Sequence, residues 1–194
     1  MGTNSVCVGG WDLDNNTSVR LLNPGGRNHA HNTPFHVGDV WDLVYHTRDD
    51  LRPPHNEDVI VTSARLIGPQ ANLTDTLRGL TNPNGGCIER LFQGFLQFPG
   101  PGRTGFLTRQ TGVPTFSTQF WISDSRFVRD DYGTKIRYRY EGATHRNITY
   151  KGMNDNPDLI IPQGALVRFS LARWHPFGDD PELKCYLQLS GWFV

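Results

Sequence analysis

Hydrophobic and polar positions alternate most cleanly over residues 38–46, where Trp41, Leu43 and Tyr45 interleave with Val40, Asp42, Val44 and His46. A period of two predicts a strand with at least one buried face. Pro53 and Pro54 then remove two amide donors and hold the chain extended. Val59-Ile60-Val61-Thr62 opens a second β-rich run, so strands are expected over 38–46 and 57–67, ending at Gly68-Pro69. Upstream, residues 6–10 and 18–22 predict short strands around turn chemistry at 12–16. Residues 27–37, with His29, His31 and His36, predict a polar loop.

The pattern changes after Gly68-Pro69. Asn72 is placed to cap a short helix through Leu80. Ile88, Leu91, Phe92 and Phe95 fall at i, i+3, i+4 and i+7, which predicts an amphipathic helix near 88–98. Phe98-Pro99-Gly100-Pro101-Gly102 must break it, and the division between subdomains 1–98 and 99–194 is expected there. Strands are predicted again over 120–123, 135–141, 145–150, 165–174 and 183–194, with the last two joined by a turn at 176–181. No internal repeat relates the halves. The predicted fold class is mostly β: two packed OB-like small β-barrels with one or two short helices.

Residues 38–61, Val6-Cys7-Val8-Gly9-Gly10, Cys185-Tyr186-Leu187-Gln188-Leu189 and Lys135-Ile136-Arg137-Tyr138-Arg139-Tyr140-Glu141-Gly142 together resemble the dual OB-fold-containing domain family. That family is prokaryotic and often found near defence and mobile-element genes. The resemblance spans nearly the whole chain as a pattern of strands and turns. It implies OB barrels and a place in antiviral defence systems, and it names no catalytic residue.

Charge narrows the function more than composition does. The 19 basic and 19 acidic side chains cancel, so no whole-molecule field points to nucleic acid. Residues 103–151 nevertheless carry Arg103, Arg109, Arg126, Arg129, Lys135, Arg137, Arg139, Arg146 and Lys151 against Asp124, Asp130, Asp131 and Glu141. Such a local excess marks an anion-facing patch. A genome-wide preference for arginine over lysine would produce the same excess. Three widely spaced cysteines with no Cys-x-x-Cys read as reduced and intracellular, with Cys7 and Cys185 as small core residues. No apolar run suits export or a membrane span, so a cytoplasmic protein without membrane contact is expected.

The strongest constellation is residues 135–140. On a strand, Lys135, Arg137 and Arg139 point one way and Ile136, Tyr138 and Tyr140 the other. With the tyrosine face buried, the cationic row is free for phosphates, joined by Arg146 and Lys151 from the neighbouring strand. Trp121, Tyr132, Tyr150 and Trp174 are candidates for base stacking, with Trp121 and Tyr150 preferred. The competing reading is a solvated face whose arginines pair with Asp130, Asp131 and Glu141. The histidines at 29, 31 and 36 fall short of a zinc site because paired ligands exist at one end only. His55-Asn56-Glu57-Asp58 reads as a loop-to-strand corner. Glu182-x-Lys184 resembles the end of a nuclease motif, but its aspartates sit in the turn and the chemistry is rejected. No nucleophile elbow, P-loop or dinucleotide fingerprint is present.

The sequence therefore predicts a noncatalytic nucleic-acid-binding module for single-stranded or structured DNA or RNA, with no cofactor and no metal. Its phosphate contacts are Lys135, Arg137, Arg139, Arg146 and Lys151, and its stacking residues Trp121 and Tyr150. The alternative is a protein–protein accessory subunit of a defence or nucleoprotein complex, marked by exposed aromatics without nearby arginines.

Overall fold

The computed structural model describes residues 5–178 and 180–194, so Asp179, in the expected turn, lies outside the described residues. The chain divides into Met1–Leu80 and Thr81–Val194. In the first unit, β1 (Ser5–Val6) pairs with β4 (His29–Ala30), and β2 (Val8–Asp12), β3 (Thr17–Leu22), β5 (Asp39–Thr47) and β6 (Asp58–Pro69) form a sheet in the order β2-β3-β6-β5. The turn between β2 and β3 is closed by the Asp12 carboxylate, which accepts the N–H groups of Asp14 at 2.9 Å and Asn15 at 3.1 Å. This local bond is what suits aspartate to a turn.

The alternation in β5 has the expected consequence. Trp41, Leu43 and Tyr45 pack against a core of Val8, Val19, Leu21, Phe35, Val59 and Val61, while Asp42, Val44 and His46 are exposed. The crossing between β5 and β6 carries a cis Pro53-Pro54 bond and delivers buried His55 and Asp58. Asp58 opens β6 opposite Arg20 of β3 and takes its guanidinium. It is a structural ion pair at the loop-to-strand corner. His29 meets the Phe35 ring edge-on at 5.1 Å, and burial lowers its pKa. His31 and His36 are exposed, and no three His, Cys, Asp or Glu side chains gather to hold a metal among the described residues. Cys7 is exposed rather than a core residue, because it falls in the break between β1 and β2. A helix, α1 (Leu73–Thr81), follows Asn72 as predicted.

The second unit contains β7 (Phe106–Leu107), β8 (Thr118–Ile122), β9 (Phe127–Arg129), β10 (Arg137–Tyr140), β11 (Arg146–Tyr150), β12 (Ile160–Ile161), β13 (Leu166–Leu171), β14 (His175–Phe177) and β15 (Asp180–Phe193). Its curled sheet runs β12-β9-β10-β11-β15-β13-β8, and β7 and β14 also pair with β15. The 14-residue β15 is the spine: antiparallel to β13, parallel to β11, and antiparallel to β7 and β14 along its remaining length. Inside the curl lies an aromatic and aliphatic core that includes Trp121, Phe127, Tyr138, Phe169, Leu187 and Leu189.

Two expectations change here. The segment expected to close the first unit instead enters the second core, where Ile88, Leu91, Phe92 and Leu96 are buried, so the division falls near 80 rather than 98. That segment is also no amphipathic helix. It is a pair of 3-10 turns over Ile88–Gly94, broken where Phe92 and Gln93 take φ of 50° and 62°. The Phe92 N–H, unavailable to a helix ladder, donates to Gln119 Oε1 of β8 at 2.6 Å. The fold class stands as read: mostly β, with OB-like β units and two short helical segments.

Candidate nucleic-acid interface

Strand β10 alternates strictly. Tyr138 and Tyr140 are buried at 0 % and 3 % exposure, and Arg137 and Arg139 stand on the outer face. Burial drives the choice, since a tyrosine ring removes far more apolar area from water than a guanidinium can afford to lose. The two hydroxyls are satisfied inside. Tyr138 donates to the Asp158 carbonyl and Tyr140 to Asp124 Oδ1, the latter at 2.6 Å. Burial pushes the Tyr138 phenol up to about 12 and raises that of Tyr140, with Asp124 adding to the second. Gly142 makes room for Tyr140: a Cβ there would come within 2.2 Å of its ring carbon and hydroxyl.

Register decides what joins the arginines. Arg137 lies opposite Thr149 and Arg139 opposite Asn147 in antiparallel β11, so Asn147, Thr149 and the exposed Lys151 share the outer face. Lys135, exposed, precedes β10 on the same parity. Lys135, Arg137, Arg139 and Lys151 therefore stand where the sequence placed them.

The other three predicted residues do not. Arg146 pairs across from Tyr140, which turns it to the inner side, and it is 8 % exposed. There it bonds Glu89 at 3.1 Å, donates to the Gly100 carbonyl at 3.0 Å and lies 4.4 Å over the Phe98 ring, so it tethers the 98–100 segment rather than meeting phosphate. Tyr150 has the same inward parity and packs with Tyr138 and Trp192, centroids 6.1 and 5.7 Å away. Trp121 is 1 % exposed, ringed by Phe127, Tyr140 and Phe169, and its Nε1 donates to the Gly86 carbonyl at 3.1 Å. A base would have to open the core to reach it. Trp174 is partly buried against that core, with Arg109 5.7 Å above it.

Two features organise the outer face: the acid pairing given as the competing reading, and an arginine–tyrosine stack that was not read from the sequence. Glu141 bridges Arg126 (2.7 Å) and Arg139 (2.9 Å), and these two hydrogen bonds, Arg139 first, lower the pKa of its carboxyl. Arg137 lies over the ring of Tyr132 at 4.7 Å, its Nε donating to the Asp130 carbonyl at 3.3 Å. The pairing of arginines with acids thus holds for Arg126, Arg129 and Arg139. Lys135 and Lys151 make no salt bridge among the described residues. The spacing of Tyr132 and Arg137 across a Gly133-Thr134 turn is the signal that would have found the stack.

A curled half-barrel sheet around an aromatic core is consistent with OB-like β domains. The chain belongs to the dual OB-containing domain family, whose model matches residues 2–192. No curated protein matches it. No solved structure matches it either. Among the described residues, no helix is long and apolar enough to cross a membrane.

Proposed function

We propose that the protein binds nucleic acid without catalysis, through the outer face of β10 and β11. The observation that carries this is the alternation of β10: the tyrosines fill the core, and the cations Arg137 and Arg139 face outward beside Lys135 and Lys151. Membership of an OB-containing family supports the reading, because OB barrels commonly bind oligonucleotides on an exposed strand face. Thr149 of β11, opposite Arg137, adds a neutral hydrogen-bonding group beside the cations.

The test is fluorescence anisotropy with labelled single-stranded DNA and RNA at two salt concentrations. Log affinity of the wild type is expected to fall with log salt by about 0.7 for each phosphate contacted. Arg137→Ala/Arg139→Ala is expected to bind more weakly and to flatten that slope by about 1.4, two phosphate contacts' worth. A salt-independent interaction, or an unchanged slope in the double variant, overturns the reading. Glu141→Gln provides the opposite arm. It removes the carboxylate that Arg126 and Arg139 share, and tighter binding with a slope steeper by about 0.7, as Arg126 is released to phosphate, is expected.

A second reading, a protein–protein accessory subunit, is favoured by the first unit. Beyond Ile60, where pairing with β3 stops, one edge of β6 meets no strand among the described residues, and Val44, Leu66 and Ile67 are exposed on the β5–β6 hairpin. An open edge with apolar side chains can add a partner's strand. Absence of any oligonucleotide binding at low salt would move the assignment to that surface.

A further inference from the structure

We propose that the exposed face of the Tyr132 ring takes an unpaired nucleobase, which makes the ligand of the basic strand face a single-stranded nucleic acid. The inference rests on that face binding nucleic acid and adds to it a residue and a strandedness. Tyr132 lies in the connection from β9 to β10. Its backbone is fixed, since its N–H donates to the Lys135 carbonyl at 3.0 Å and its carbonyl accepts the Lys135 N–H at 3.1 Å. One side of its ring is fixed too, by the Arg137 guanidinium at 4.7 Å. Arg137 is itself held from the main chain: its N–H donates to Asp131 Oδ1 and its Nε to the Asp130 carbonyl, both at 3.3 Å. The tyrosine is nevertheless 69 % exposed, and no ring packs on its other side among the described residues.

A bare aromatic side chain held at both backbone and ring is preorganised, so stacking on it costs little side-chain ordering. The guanidinium beneath it also faces the path of the phosphates. Bases within a duplex already stack above and below, whereas an unpaired base has a free face and a flexible backbone that can turn it toward the ring. Lys135, two residues beyond Gly133, then places a cation where the adjoining phosphate would pass. Trp121, buried inside the curl, and Tyr150, partly buried against the same core, leave the stacking role to this ring.

The experiment compares wild type, Tyr132→Ala, Tyr132→Phe and Arg137→Ala against labelled single-stranded DNA and RNA, the same DNA backbone with abasic positions throughout, and the duplex. Tyr132→Ala is expected to weaken single-strand binding about 5- to 150-fold, the worth of one base–aromatic stack. It should do so without changing the salt slope, while Arg137→Ala lowers the slope. Tyr132→Phe keeps the ring and is expected to bind as the wild type does. The abasic backbone should bind wild type and Tyr132→Ala alike. The Tyr132 side chain is exposed, so thermal melting of both Tyr132 variants should match wild type, and DNA and RNA arms show which sugar is preferred. Full affinity in Tyr132→Ala, an equal loss on the abasic backbone, or duplex bound as tightly as single strand overturns the inference while leaving the basic face in place. No salt-dependent binding by the wild type overturns both.

Discussion

Trp121→Ala is expected to destabilise the second unit by about 3–5 kcal/mol, the range for truncating a large buried aromatic. Three losses combine. The ring leaves a cavity bordered by Phe127, Tyr140 and Phe169, whose centroids lie 5.9–6.4 Å away. Edge-on and tilted aromatic pairs lose their partner. The Gly86 carbonyl also loses the indole donor at 3.1 Å. Urea unfolding followed by tryptophan-independent probes would measure the change, with the first unit, which has its own core, as the internal reference. Trp121→Phe restores most of the volume without the N–H and should recover more than half of the loss. Oligonucleotide binding measured where the variant remains folded should match wild type, since the ring is not on the basic face. Wild-type stability in Trp121→Ala would mean that the ring does not fill the core.

Asp58→Ala is expected to cost about 3 kcal/mol, from leaving a mostly buried guanidinium without its carboxylate. Asp58 accepts from Arg20 Nε at 2.6 Å, with Arg48 3.9 Å away on its other oxygen, and its side chain is 2 % exposed. Asp58→Asn keeps an acceptor for Arg20 and should cost less. The pair also has a pH dependence. Burial raises the Asp58 carboxyl above its ordinary 3.8, against the pull of Arg20 and Arg48, so the folded state binds this proton more tightly than the unfolded chain does. Its contribution to stability is therefore complete below the unfolded value and lost as pH rises through the folded one. Wild type should lose stability relative to Asp58→Asn across that interval, as read from denaturation at a series of acidic pH values. A relative gain there would mean that the arginines outweigh burial.

Strand alternation was the part of the fold most legible in the sequence. It located β5 with Trp41, Leu43 and Tyr45 inward, and it sorted Arg137 and Arg139 from Tyr138 and Tyr140. Alternation within a strand does not fix which parity of the next strand shares its face. The register through Arg139↔Asn147 and Tyr140↔Arg146 settles that, and it depends on the length of the turn between them. Arg146 and Tyr150 were assigned to the wrong side for that reason. The apolar spacing of Ile88, Leu91 and Phe92 suits a helix, yet it equally suits two 3-10 turns that aim all three inward. The deciding contact, Gln119 Oε1 on the Phe92 N–H, comes from 27 residues away. The boundary was misplaced because a Pro-Gly break marks where the backbone bends, whereas the unit is defined by which core the side chains enter.

The spine strand β15 has a consequence for synthesis. It is the last strand of its unit to leave the ribosome; β7 and β14 pair with it alone among the described strands, and β11 and β13 each have one edge that waits for it. Until it arrives, those strands carry bare edges and the aromatic core has no closing wall, while the first unit already has every strand it needs. Non-local pairing of this kind is slow and leaves a nascent chain open to mispairing. A ribosome paused before β15 would hold a finished first unit beside an unfinished second one, so expression of this protein should respond to translation speed and chaperone supply through its C-terminal half.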